Sequence, residues 1–163
     1  MNTKLLGIYM NDHLAGSLVG RELAKRAAGS NEGTELGEFL AALVPEFEDE
    51  RNSLKAMMDH LGVQQNRVKM PIAWVAEKLG RLKPNGQITG YSPLSRLIEL
   101  EGLALGVTGK LALWRALSAS TAGLDAFGLD GLIAKAESQR DGIETHRLKA
   151  AALAFNEPAR DPA

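Results

Sequence analysis

The stretch Glu35–Leu61, ELGEFLAALVPEFEDERNSLKAMMDHL, decides the fold. Leu36, Leu40, Leu43, Phe47, Glu50, Leu54, Met57 and Leu61 recur at alternating steps of four and three. That spacing lays one stripe along an amphipathic α-helix. A single carboxylate, Glu50, stands where the apolar stripe should continue. Thr34 precedes the run as a helix N-cap, although Gly37 rather than glutamate occupies the capping-box position. Gly62 follows it as a C-terminal stop. Pro45 lacks one backbone donor and predicts a kink near Ala41–Pro45.

Working outward, the same periodicity fills most of the chain. A first helix is expected from Thr3 to about Ala28, with Leu5, Tyr9, Asp12, Gly16, Val19 and Leu23 on one face. Gly16 and Gly20 each lower helix propensity by about 1 kcal/mol, and read as places where a neighbouring helix comes close. Gly29-Ser30-Asn31-Glu32-Gly33 reads as a tight turn. A third long helix starts at Ser92 as N-cap with Pro93 as its first residue, and carries Leu97, Leu100, Ala104, Val107, Leu111 and Trp114. The glycines from Gly102 to Gly109 read as a close helix contact. After a turn region over Ser118–Gly128, Asp130 is expected to cap the last helix. Its stripe is Leu132, Ala136, Gln139, Ile143, His146, Ala150 and Leu153. Polar residues again interrupt an apolar row.

The connection from Val63 to Ser92 spans roughly 30 residues, long for a structureless loop in a compact domain. Pro71 to about Leu82 is expected to form a short helix there, with Ile72, Val75 and Leu79 on its apolar face. Short, long and short links between four helices of roughly 25 residues define a bundle about 38 Å long. The long middle link allows the second and third helices to run parallel, the ferritin-like order. The expected organisation is all-α: one bundle domain over 1–155 and a flexible C-terminal tail over 156–163.

Composition narrows the functions. The chain has 163 residues, 45% hydrophobic and 24% charged, with a net charge of -1. Such a balance offers no basic field for nucleic acid or an acidic membrane surface. Aromatic residues make up 5%, too few for a base-stacking platform. There is no cysteine, which removes disulfides, thiolate nucleophiles and zinc–thiolate sites. No stretch approaches the roughly 20 apolar residues of a membrane span, and Met1–Met10 lacks a signal-peptide cleavage pattern. A cytoplasmic location is the default expectation.

The polar interruptions can be placed by depth. Folding the first helix onto the second about Asn31 sets Asp12 near Arg51 and Glu50. Folding the third onto the fourth about Ala122 sets Glu101 near Gln139 and Arg140. Asp12, Glu50, Glu101 and Arg140 are therefore expected to share one layer at mid-height, with Gln139 and Arg140 competing to face inward. Buried carboxylates require a positive partner, and arginine is the expected one, because its fork holds carboxylates bidentately. Metal is the alternative, with iron or manganese held by Asp12, Glu50, Glu101 and His146. The spacing opposes it: a di-iron bundle needs Glu-x-x-His on two helices. His13, His60 and His146 are instead preceded at that offset by Met10, Met57 and Ile143. The expectation is that no metal, cofactor or catalytic set is present.

Other chemistries find little support. No Gly-x-Ser-x-Gly elbow occurs. Asp12 and His13 point about 100° apart on a helix and do not form a dyad. His60 reads as a dipole-favoured residue at a helix C-terminus. Lys78, Arg81 and Lys83 read as a solvated face, and Trp74 and Trp114 as core or interface anchors.

Three stretches carry a family likeness: Tyr9–Gly16 (YMNDHLAG), Glu48–Gly62 (EDERNSLKAMMDHLG) and Tyr91–Leu103 (YSPLSRLIELEGL). They resemble a group of uncharacterised bacterial proteins with a ferritin-like four-helix bundle. The resemblance implies the fold and no assigned activity. The second stretch also resembles the second helix of metal-binding ferritin-like proteins, with Ser53 where those carry histidine. That substitution argues against iron oxidation, storage or peroxidase chemistry. Two functional readings follow. The first is a non-enzymatic bundle acting as a homodimer or with another protein partner. The alternative is a metal- or small-ligand-binding stress or redox protein with a non-standard site.

Overall fold

The structure, a computed structural model, describes residues 2–66, 91–121 and 123–156. Among them lie four long helices: α1 (Thr3–Ser30), α2 (Glu35–His60), α3 (Pro93–Ser120) and α4 (Leu129–Asn156). A single 3-10 turn, Asp125–Phe127, precedes α4. The described residues thus form an all-helical bundle of four long helices. The helix proposed over 71–82 and the tail beyond Asn156 lie outside the described residues.

The helix starts follow their side chains. Asn2 Oδ1 accepts from the Leu5 N–H at 3.2 Å. Thr34 Oγ1 accepts from the Gly37 N–H at 3.1 Å, and Ser92 Oγ from the Ser95 N–H at 3.1 Å with Pro93 in the first turn. Each satisfies one of the orphan donors of a helix start. Gly37 replaces the capping-box glutamate for a steric reason: a Cβ there would lie 2.1 Å from the Asn31 carbonyl oxygen. The turn before α2 folds back across that position.

At the other end of α2 the Val63 N–H donates to Met58 O at 2.8 Å and the Gly62 N–H to Asp59 O at 3.1 Å. Gly62 has φ +67. This is a Schellman stop, closed by buried Met58 and Val63. The α2 helix continues through Pro45, which lies on its exposed side. The turn region after α3 starts later than its sequence suggested, since α3 runs to Ser120. Asp130 sits inside the first turn of α4 and is not its cap; Gly128, with φ +60, makes that entry.

Cross-helix pairs fix the topology. Arg21 meets Glu48 between α1 and α2, and Arg115 meets Glu137 between α3 and α4. Arg26 meets Glu99 between α1 and α3. Phe39 stacks on His146 between α2 and α4, with ring centroids 4.7 Å apart. Each of these pairings is antiparallel, so α2 and α3 run parallel. The chain beyond α2 is anchored beside the start of α1, where the Asn66 N–H donates to Asn11 Oδ1 at 2.7 Å. It re-enters α3 beside the end of α1, where the Asn31 amide donates to the Tyr91 hydroxyl at 3.0 Å. The link between them therefore joins opposite ends of the bundle. No described helix is long and apolar enough to cross a membrane.

The core divides at mid-height. One apolar cluster holds Met10, Met57, Trp114 and Leu117; the other holds Leu23, Leu40, Leu100 and Ile143. Between them α2 contributes Glu50, α3 Lys110 and α4 Gln139. At this level α1 contributes Gly16 and Gly20, which have no side chain.

Candidate functional site: a cleft above a buried ion pair

Glu50 is 2% exposed. Its carboxylate accepts from Lys110 Nζ and, at 3.1 Å, from Gln139 Nε2. Lys110 Nζ also donates to Gln139 Oε1, and the ammonium lies 4.3 Å from the centroid of the Phe47 ring. Gln139 Nε2 reaches Glu46 Oε2 at 2.7 Å. Lys110 Nζ thus has two oxygens and an aromatic face about it, and both Glu50 oxygens accept. Burial pushes the Glu50 carboxyl up and the Lys110 ammonium down, each opposed by the attraction of the other. The layer is self-satisfied, which suits a structural floor rather than a proton-transfer site.

The expected mid-height layer therefore exists, but with a different membership. Glu50 and Gln139 belong to it. Lysine supplies the positive charge, where arginine was expected. Arg140 points to the surface and pairs with its neighbour Asp141 at 2.9 Å. Glu101 is exposed and lies 3.5 Å from Arg147. Asp12 is also exposed. Helix register explains both. Gly7 packs beside Val63 and Arg21 beside Glu48, so Glu50 lies level with Val19, two turns beyond Asp12. The Arg147 contact likewise sets Glu101 two turns from Gln139. His146 is buried, but it packs on Phe39 well away from the layer. Asp12, Glu50, Glu101 and His146 are thus not brought together. Among the described residues no group of three or more His, Asp or Glu is placed to hold a metal ion.

Burial holds His146 below its ordinary pKa, with Lys149 adding and Glu35 opposing. A depressed histidine pKa stabilises the fold fully above the unfolded value and less as pH falls through the folded one. Stability is therefore expected to drop as pH falls below the ordinary histidine pKa, and thermal melts of His146→Gln should show a smaller drop than the parent.

A second polar cluster was not legible beforehand. Glu99 is 4% exposed and is held by Arg26 and by the Tyr91 hydroxyl at 2.8 Å. Asn31 joins it, accepting from Arg96 Nε at 2.8 Å. Burial and the adjacent carboxylate push Tyr91 up to about 12. These contacts tie the end of α1 to the start of α3.

Above the ion pair a cleft of about 320 Å³ opens between α1, α2 and α3. Gly16 and Gly20 border it on α1, Gly106 and Gly109 on α3. A Cβ placed on any of the four meets no atom within 4 Å. The close approach expected of these glycines is found only at Gly102, where a Cβ would lie 3.1 Å from Leu23. The missing side chains at the other four positions leave space instead. Alanine at each should stabilise the helix by about 0.5–1 kcal/mol, measured by denaturant melts.

The cleft wall is mostly apolar. Leu54, Leu103, Leu113 and Trp114 line it, and Leu105, 75% exposed, stands at its edge. His13 is also part of the wall, and its own burial lowers its pKa. Such a concave, apolar space with a few polar groups is the usual form of a small-molecule site. Comparisons of the chain with known protein families, with curated proteins and with solved structures gave no match.

Proposed function

We propose that this chain is a non-catalytic helical bundle that binds a small, largely apolar molecule in the mid-height cleft. The observation that carries this reading is the space left by four glycines above a buried ion pair that needs no further partner. A helix tolerates glycine at a cost in stability, and here that cost opens volume in place of packing. The scaffold is read as ferritin-like. The parallel course of α2 and α3, the end-to-end middle link and the three resembling stretches support that reading. Iron or manganese forms no part of it, because the Glu50 oxygens are already taken by Lys110 and Gln139.

The test is ligand-induced stabilisation. A molecule that binds the folded state and not the unfolded one raises the melting temperature, increasingly so as its concentration exceeds Kd. A neutral apolar probe, 1-octanol, should raise the melting temperature of the parent but not of Gly106→Leu, whose side chain occupies the cleft. Equal shifts in both proteins, or none in either, would refute the proposal.

Self-association is a second reading, favoured by Leu148 and Phe155. These lie one heptad apart on α4 and are 55% and 73% exposed. Paired replacement by serine should lower the sedimentation coefficient if this stripe joins two copies.

A further inference from the structure

Among the described residues two buried N–H donors of residues that line the cleft have no acceptor: Arg51 Nε and Trp114 Nε1. Buried donors are nearly always paired, and leaving one unpaired costs about 1–3 kcal/mol. Arg51 is also short of a counter-ion. Its nearest carboxylate is Glu48 at 4.0 Å, and Glu48 is already engaged by Arg21 at 2.5 Å. The other cation of the cleft, Lys110, is neutralised by Glu50. Among the described residues Arg51 is therefore the cation lining the cleft whose charge is not matched at close range. Its side chain is only 20% exposed, so water compensates it incompletely.

Of the two carboxylates in the wall, Glu50 is held by Lys110, and Asp12 is exposed on α1. His13 beside it is kept toward its neutral form by burial. The polar requirement of the cleft is thus for acceptors and for negative charge on the α2 side. Its remaining wall, Leu54, Leu103, Leu113 and the Trp114 ring, asks for hydrocarbon. The volume is about ten times the share of one water molecule in the liquid, which limits the occupant to a molecule of roughly that many heavy atoms.

We propose that the cleft takes a small anionic amphiphile, a medium-chain monocarboxylate, with its carboxylate on the Arg51 guanidinium and its chain along the apolar wall. The assignment rests on the ligand-binding reading above and specifies the class of ligand. A guanidinium fork matches a carboxylate geometrically, and that charge-assisted contact discriminates against a neutral head group.

Titration calorimetry with octanoate, 1-octanol and octylammonium on the full chain tests this. Octanoate is expected to bind one molecule per chain, at least tenfold more tightly than 1-octanol, with octylammonium weakest. Arg51→Gln should reduce octanoate affinity by tenfold or more and leave 1-octanol unchanged, while Gly106→Leu should abolish both without lowering the melting temperature. Equal binding of octanoate and 1-octanol by the parent protein, or tightest binding of octylammonium, would overturn the anionic class and leave the cleft reading standing. No binding of any of the three, or binding untouched by Gly106→Leu, would overturn both.

Discussion

Replacing Lys110 by methionine should destabilise the protein by about 3–5 kcal/mol in denaturant melts, the loss seen when one partner of a buried pair is removed. Glu50 is 2% exposed and Lys110 Nζ is its cation. With the ammonium gone, only the Gln139 amide remains to satisfy the carboxylate. Glu50→Leu should cost a similar amount by stranding the ammonium, although the Phe47 ring and Gln139 retain part of its environment. Arg140→Ala, by contrast, should be nearly neutral, because Arg140 makes a surface ion pair with Asp141 and takes no part in the layer. The contrast among these variants separates a lysine-held layer from the arginine-held layer that the sequence alone suggested.

Gly37→Ala should be the most damaging change of one methyl group. Its Cβ would lie 2.1 Å from Asn31 O and 2.7 Å from Asn31 C. Both atoms are backbone, and neither can swing aside. Asn31 is held by several bonds at once: its amide reaches Ala27 O at 2.7 Å, its Oδ1 accepts from Arg96, and its carbonyl accepts from Thr34. The turn must therefore rebuild, at a cost of about 3 kcal/mol, the upper range for forced overpacking. The melting temperature should fall while helix content by circular dichroism stays close to the parent. At Gly62, where only the left-handed backbone is at stake, alanine should cost about 1 kcal/mol.

The scaffold was legible because each signal is local. The stripe through Leu40, Phe47 and Leu54, the Thr34 and Ser92 caps, Pro93 and Gly62 all act within a few residues of themselves. Glu50 was legible as a carboxylate inside an apolar row. Its partner was not. Lys110 sits one residue before Leu111 of the α3 stripe, and its long stem carries the charge inward from the edge of that stripe. Glu99 escaped notice for a related reason: it lies off the chosen stripe and faces α1. Asp12 and Glu101 were misplaced by register. Two antiparallel helices convert a small error in the turn midpoint into two helical turns at mid-height. The glycines posed a different problem, since composition does not say whether a missing side chain admits a neighbouring helix or leaves a gap. Gly102 does the first and Gly16, Gly20, Gly106 and Gly109 do the second. Only the arrangement of three helices distinguishes them.

The floor of the cleft and the division of the core both depend on Glu50 and Lys110 acting as one unit. Burial alone pushes the carboxyl up and the ammonium down, so the charged pair owes its place to mutual compensation. A well-packed apolar pair of similar volume is often as stable as a buried ion pair. A double-mutant cycle on Glu50→Leu and Lys110→Met, read by denaturant melts, measures that coupling directly. The double variant should recover most of the loss of either single variant, giving an interaction of about 2 kcal/mol or more. Strictly additive losses would mean that the two side chains do not meet at the centre of the bundle.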